Sequence, residues 1–86
     1  MKLQKLEDLI GSTREVVDHL LFGGSIDRIR FIAELEPLLD EELDERDKRE
    51  LASVRSGLVE ASGNHEVLDV SFRMLSVLET IKQRAN

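Results

Sequence analysis

Residues 65–84 constrain this chain more than any other stretch. Val67, Leu68, Val70, Phe72, Met74, Leu75, Val77, Leu78 and Ile81 all fall within one unbroken helical pattern. At 100° per residue they cover about 220° of a helical wheel, far wider than the single stripe of a surface helix. Such a helix must be packed on two sides. Either it is the central helix of the monomer, or it carries an interface with a second copy or a partner. In the second case Val70, Phe72, Met74, Val77 and Ile81 are the expected contact residues, and a homodimer is one expected outcome.

The segments before it supply the elements it can pack against. Leu3, Leu6, Ile10, Thr13, Val17 and Leu20 recur at three- and four-residue steps, which predicts a first helix from about Lys2 to Leu21. Phe22-Gly23-Gly24-Ser25 ends it, with the glycines suited to the left-handed C-terminal turn and Ser25 to capping the next helix. A second helix is expected from near Ile26, with Ile26, Ile29, Phe31, Ile32, Leu35, Leu38, Leu39 and Leu43 over half its wheel. Pro37 lies inside it, and proline removes a backbone bond and clashes with the preceding turn. The helix is therefore expected to kink or break there.

A third helix is expected after Asp44 as N-cap, with Glu45 and Asp47 in its positive first turn. Its stripe is thin (Leu51, Val54, Leu58, Ala61), so it is expected to be outermost, with helices one, two and four forming the core. Ser62-Gly63-Asn64 ends it, and Asn64 can cap the last helix. Turn signals come too far apart for hairpins, and no solenoid period is present. The expectation is an all-α, small antiparallel bundle of four helices forming a single domain over 1–86.

Charge is distributed unevenly along this pattern. The chain has a formal net charge of −6. Residues 34–50 hold nine acids and three bases, whereas the flanking segments are each neutral. An acidic chain with three phenylalanines and neither tyrosine nor tryptophan lacks both the basic patch of a duplex binder and the stacking platform of a single-strand binder. Direct nucleic-acid binding is not expected. A basic protein surface is the expected partner, met by Glu34, Glu36, Asp40, Glu41, Glu42 and Glu45. There is no cysteine, which fits a reducing cytoplasm, and no apolar run long enough to span a membrane. The first residues lead directly into a mixed helical pattern rather than a signal peptide. A cytoplasmic protein is expected.

Motifs with chemistry are sparse. His19 shares a helix face with Asp8, Ser12 and Glu15, so it can be read as a general base or phosphotransfer histidine, or as a solvated i,i+4 pair with Glu15. The solvated pair is preferred, because Leu20-Leu21-Phe22 follow it where a phosphotransfer site has lysine and glycine. His65 beside Glu66 and Asp69 is too small a ligand set for a metal. Arg14, Arg28, Arg30, Arg55 and Arg73 read as partners for the many acids. Neither cofactor nor metal is expected, nor is catalysis.

The reading is a small non-enzymatic interaction module of inhibitor, immunity or adaptor type, docking a basic partner through 34–50. In size, acidity and helix count it resembles bacteriocin-nuclease immunity proteins and some phage-encoded inhibitors, although the Tyr-Tyr-Pro element of the colicin nuclease immunity family is absent. The alternative is a homodimeric structural or regulatory protein whose acids only keep it soluble.

Overall fold

The computed structural model describes residues 3–41 and 43–85. Among these there are four helices: α1 (Leu3–Leu21), α2 (Arg28–Leu39), α3 (Glu45–Glu60) and α4 (Asn64–Ala85). They run alternately up and down. α4 packs against α1 on one side and α3 on the other, and α2 closes the opposite side against the same two helices. The wide apolar arc of α4 is thus explained within a single chain, since two helices cover it. At 1.5 Å per residue α4 is about 33 Å long, which matches the 34 Å long dimension of the molecule.

Each helix end has a local cause. α1 stops in a Schellman turn: the Gly24 N–H donates to the His19 carbonyl at 2.9 Å and the Gly23 N–H to Leu20 at 3.2 Å. Gly23 has φ +86°, a conformation that side chains resist. A Cβ on Gly24 would collide with the His19 imidazole. This turn occupies both glycines, so the chain needs more residues to reverse, and α2 begins at Arg28 rather than near Ile26. Its N-cap is Asp27, not Ser25, and the Asp27 carboxylate accepts from the Arg30 N–H at 3.2 Å. Ile26 before the cap and Phe31 four residues after it both join the core, the positions of a hydrophobic staple.

Pro37 sits in the last turn of α2, which ends two residues later at Leu39. The interruption expected at the proline takes the form of termination, and Leu43 lies beyond the helix. α3 is capped by Asp44 as expected, its carboxylate accepting from the Arg46 N–H at 3.4 Å. At the last turn the Gly63 carbonyl accepts from Val67 at 3.1 Å, so Gly63 takes the cap position expected of Asn64. Glu66 reaches back to the Ser62 N–H and hydroxyl, both at 2.9 Å. Those two bonds, the backbone one first, hold the Glu66 carboxyl below its ordinary range.

α3 is not peripheral. Leu51, Val54 and Leu58 are completely buried, as are Leu6, Leu35, Met74 and Leu78 from the other three helices. Three side chains on one face suffice because Gly57 lets α4 come close: a Cβ there would lie 3.1 Å from Val70 Cγ2. The buried hydroxyls of Thr13 and Ser71 return to the Leu9 and Val67 carbonyls at 2.7 Å each, so neither is left unsatisfied. Ile29 departs from its expected place. It is 82% exposed, because the Phe31, Leu35 and Leu38 line faces inward and Ile29 falls on the other side of α2. No helix among the described residues is long and apolar enough to cross a membrane.

Gly11 lies mid-α1 with open space where a Cβ would be. Gly11→Ala is expected to stabilise the fold by about 1 kcal/mol through helix propensity alone, raising the melting temperature by roughly 4–8 °C for a domain of this size. Calorimetry checks this. An unchanged or lower melting temperature would mean that α1 is not helical at Gly11.

Candidate functional site

The acidic stretch folds into the C-terminal turn of α2, the connection after it and the first turns of α3. Apart from Asp47, its described acids keep access to solvent, with Glu41 and Glu50 half-buried. Glu42 lies outside the described residues. The fold brings bases to these acids from both neutral flanks. Lys5 of α1 meets Glu41 at 3.6 Å, Arg30 meets Glu34 at 4.0 Å, and Arg55 Nε and Nη2 both reach Glu36 Oε1, at 3.3 and 3.0 Å. Within the stretch, Arg46 meets Glu50 at 3.8 Å. Asp40 and Glu45 are exposed and have no ion pair among the described residues.

Asp47 is the exception. It is buried in the first turn of α3, and Arg84 near the end of α4 donates to it at 2.5 Å and to Asp44 at 3.5 Å. One guanidinium therefore ties the start of α3 to the end of α4. At the other end of α3, the Arg28 guanidinium donates to the Leu58 carbonyl at 3.2 Å and to that of Ala61. These are the unpaired carbonyls of a helix C-terminus, where a cation is favoured. Positive charge at the N-terminus of α2 is locally unfavourable, and each base there has a partner: Arg28 caps its neighbour and Arg30 pairs with Glu34.

This traffic changes where the charge lies. Bases drawn towards 34–50 leave acids elsewhere uncompensated. Outside 34–50, Asp8, Glu15, Asp18, Asp27, Glu60 and Glu66 have no ion pair among the described residues. Of these, Asp18, Asp27 and Glu60 lie at the opposite end of the bundle, where α1 and α3 finish and α2 and α4 begin.

The apolar candidates on α4 divide. Met74 is fully buried and Ile81 is 3% exposed, so neither is free to meet another chain; both fill the core against the neighbouring helices. Val70 and Val77 are half-buried on the same core. Phe72 remains 47% exposed. Among the described residues the large exposed apolar side chains are Phe22, Ile29, Leu21, Val59 and Phe72, the first 90% exposed. All five belong to the half of the bundle opposite the acidic stretch. Phe22 carried a readable signal, because it follows the last residue of the α1 stripe and precedes the glycine turn, where no helix face can bury it.

His19 is exposed and lines an open groove of about 420 Å3 between α1 and α2, with Ser12, Glu15, Asp27, Arg30 and Glu34. The sequence had placed Ser12 and Glu15 beside it. Its imidazole lies against the Gly24 backbone. His65 pairs with Asp69 at 3.9 Å in full solvent. Arg14 and Arg73 lie apart from the other arginines: Arg14 pairs with Glu79 at 3.0 Å and Arg73 donates to the Ser53 carbonyl at 3.3 Å. The five arginines thus line no common pocket. No group of three or more metal-ligating side chains occurs among the described residues. Comparison of the chain with protein-family models, curated proteins and solved structures gives no match.

Proposed function

We propose that this protein is a small acidic interaction module that docks on a basic surface of a partner protein and performs no chemistry of its own. One observation carries the reading: the described acids of 34–50, Asp47 excepted, stand at the surface, Asp40 and Glu45 without an ion pair and the others in pairs that water reaches. Exposed pairs of this kind contribute about 0–1 kcal/mol each, so a partner's lysines and arginines can replace Lys5, Arg30 or Arg55 at little cost. Asp40 and Glu45 need no displacement at all. The negative field speeds encounter, and short-range contacts then set the lifetime of the complex.

Asp40→Lys with Glu45→Lys tests this with little harm to the fold. Lysine at the α2 C-cap is favoured by the helix dipole and lysine in the first turn of α3 is disfavoured, two effects of about 0.5 kcal/mol that oppose each other. The wild-type chain and this variant serve as baits in an extract of the native host, and association rates with the captured protein are then measured. The wild type is expected to hold a basic protein whose association rate falls about tenfold or more between roughly 0.05 and 0.5 M salt, and the variant to lose it. Equal capture by both chains, at a rate indifferent to salt, defeats the proposal.

A further inference from the structure

We infer a second docking surface at the other end of the bundle, built around Phe22 and Ile29 and fitted to a protein surface whose apolar pocket is bordered by lysine or arginine. The inference does not depend on the 34–50 surface. Phe22 and Ile29 are 90% and 82% exposed, and the Schellman turn and the core are complete without them. The antiparallel register set by Arg28 on Ala61 and Arg55 on Glu36 brings Ile29 level with Val59, itself half in solvent. Large apolar side chains gathered at one end of a small monomer mark a contact surface. An aromatic with two rotatable bonds is a low-entropy anchor for it.

The rim decides the occupant. Asp18, Asp27 and Glu60 surround this end without ion pairs, while Arg28 is engaged with the α3 carbonyls and Arg30 with Glu34. A second copy would bring the same carboxylates face to face, whereas a basic border complements them. Asp40, past the end of α2, lies about 16 Å along the helix axis from Ile29, and Glu45 opens α3 at that same far end; this is about two screening lengths at physiological salt, where that length is about 8 Å. At that distance Asp40 and Glu45 contribute little to the field around Phe22 and Ile29.

The test follows amide shifts of the isotope-labelled full chain as it is titrated with a synthetic amphipathic helix of about 18 residues, leucine on one face and arginine on the other, and with its glutamate counterpart. The arginine peptide is expected to move amides in 18–30 and 57–66. Phe22→Ser with Ile29→Ser should weaken it about tenfold or more while leaving the melting temperature unchanged, since both side chains are exposed. Asp40→Lys with Glu45→Lys should leave this binding within about twofold, because of the screening. Shifts confined to 34–50, equal binding of the glutamate peptide, or no binding overturn the inference while leaving the Asp40 and Glu45 experiment to judge the first surface. A mass doubling in sedimentation that strengthens with salt and is abolished by Phe22→Ser with Ile29→Ser also overturns it, in favour of a second copy.

Discussion

Leu51→Ala is expected to lower the unfolding free energy by about 3 kcal/mol, within the 2–5 kcal/mol of large-to-small core changes. Leu51 is completely buried on α3, so truncation removes its transfer free energy and leaves a cavity that rigid neighbours cannot fill. For a chain of 86 residues, total stability at the usual per-residue range is roughly 4–13 kcal/mol, so this one change removes a large part of it. Urea unfolding followed by circular dichroism reads the effect as a lower midpoint at unchanged slope. The result separates two pictures of α3. A helix lying on the outside of a three-helix core would lose less than about 1 kcal/mol, and a loss that small would show that α3 does not share the core.

Arg84→Met is expected to cost about 2 kcal/mol, less than the 3–5 kcal/mol for breaking a fully buried pair. Asp47 is 5% exposed and would lose its cation in place, whereas the Arg84 side chain is 47% exposed and gains less from the pair. The asymmetry has a direction. Asp47→Ala should cost only about 1–2 kcal/mol, because the freed guanidinium turns to water. The double change should cost less than the two single losses added, with a coupling of about 1 kcal/mol in a double-mutant cycle. Additive losses would mean that the 2.5 Å contact carries no stabilisation. The contact also bears on function, since it anchors the first turn of α3, where Glu45 is presented.

Much of the local structure was legible because it depends on few residues. The end of α1 at Gly23 and Gly24, the Asp44 cap, and the Leu6, Ile10, Val17 and Leu20 face are each set within a turn or two of chain. The interruption at Pro37 was legible as well, though only the structure shows it as a helix end. α3 belongs to the core despite its thin stripe, because depth of burial and not width of stripe decides its place. Leu51, Val54 and Leu58 are few, yet each is buried to the full, and Gly57 brings α4 close enough to cover them. Met74 and Ile81 lie in the core rather than at an interface for the complementary reason: a wide arc shows that two faces are covered but not by what. At the candidate site, the exposure of Glu34, Glu36, Asp40 and Glu45 was readable from their places off the apolar stripe. Their partners were not, because Arg55 and Lys5 reach Glu36 and Glu41 only through tertiary packing.

The sequence by itself determined that four helices form, roughly where they start and stop, and that the last needs cover on two sides. These follow from backbone periodicity and from caps, which act over a few residues. Only the tertiary structure decided that α1 and α3 supply that cover, that α3 belongs to the core, and that charge concentrated along the chain is shared through space. It also decided that Phe22 and Ile29 remain exposed at the end away from the acidic stretch. Burial and electrostatic neighbourhood depend on which helices meet and in what register, and residues far apart in the chain set both.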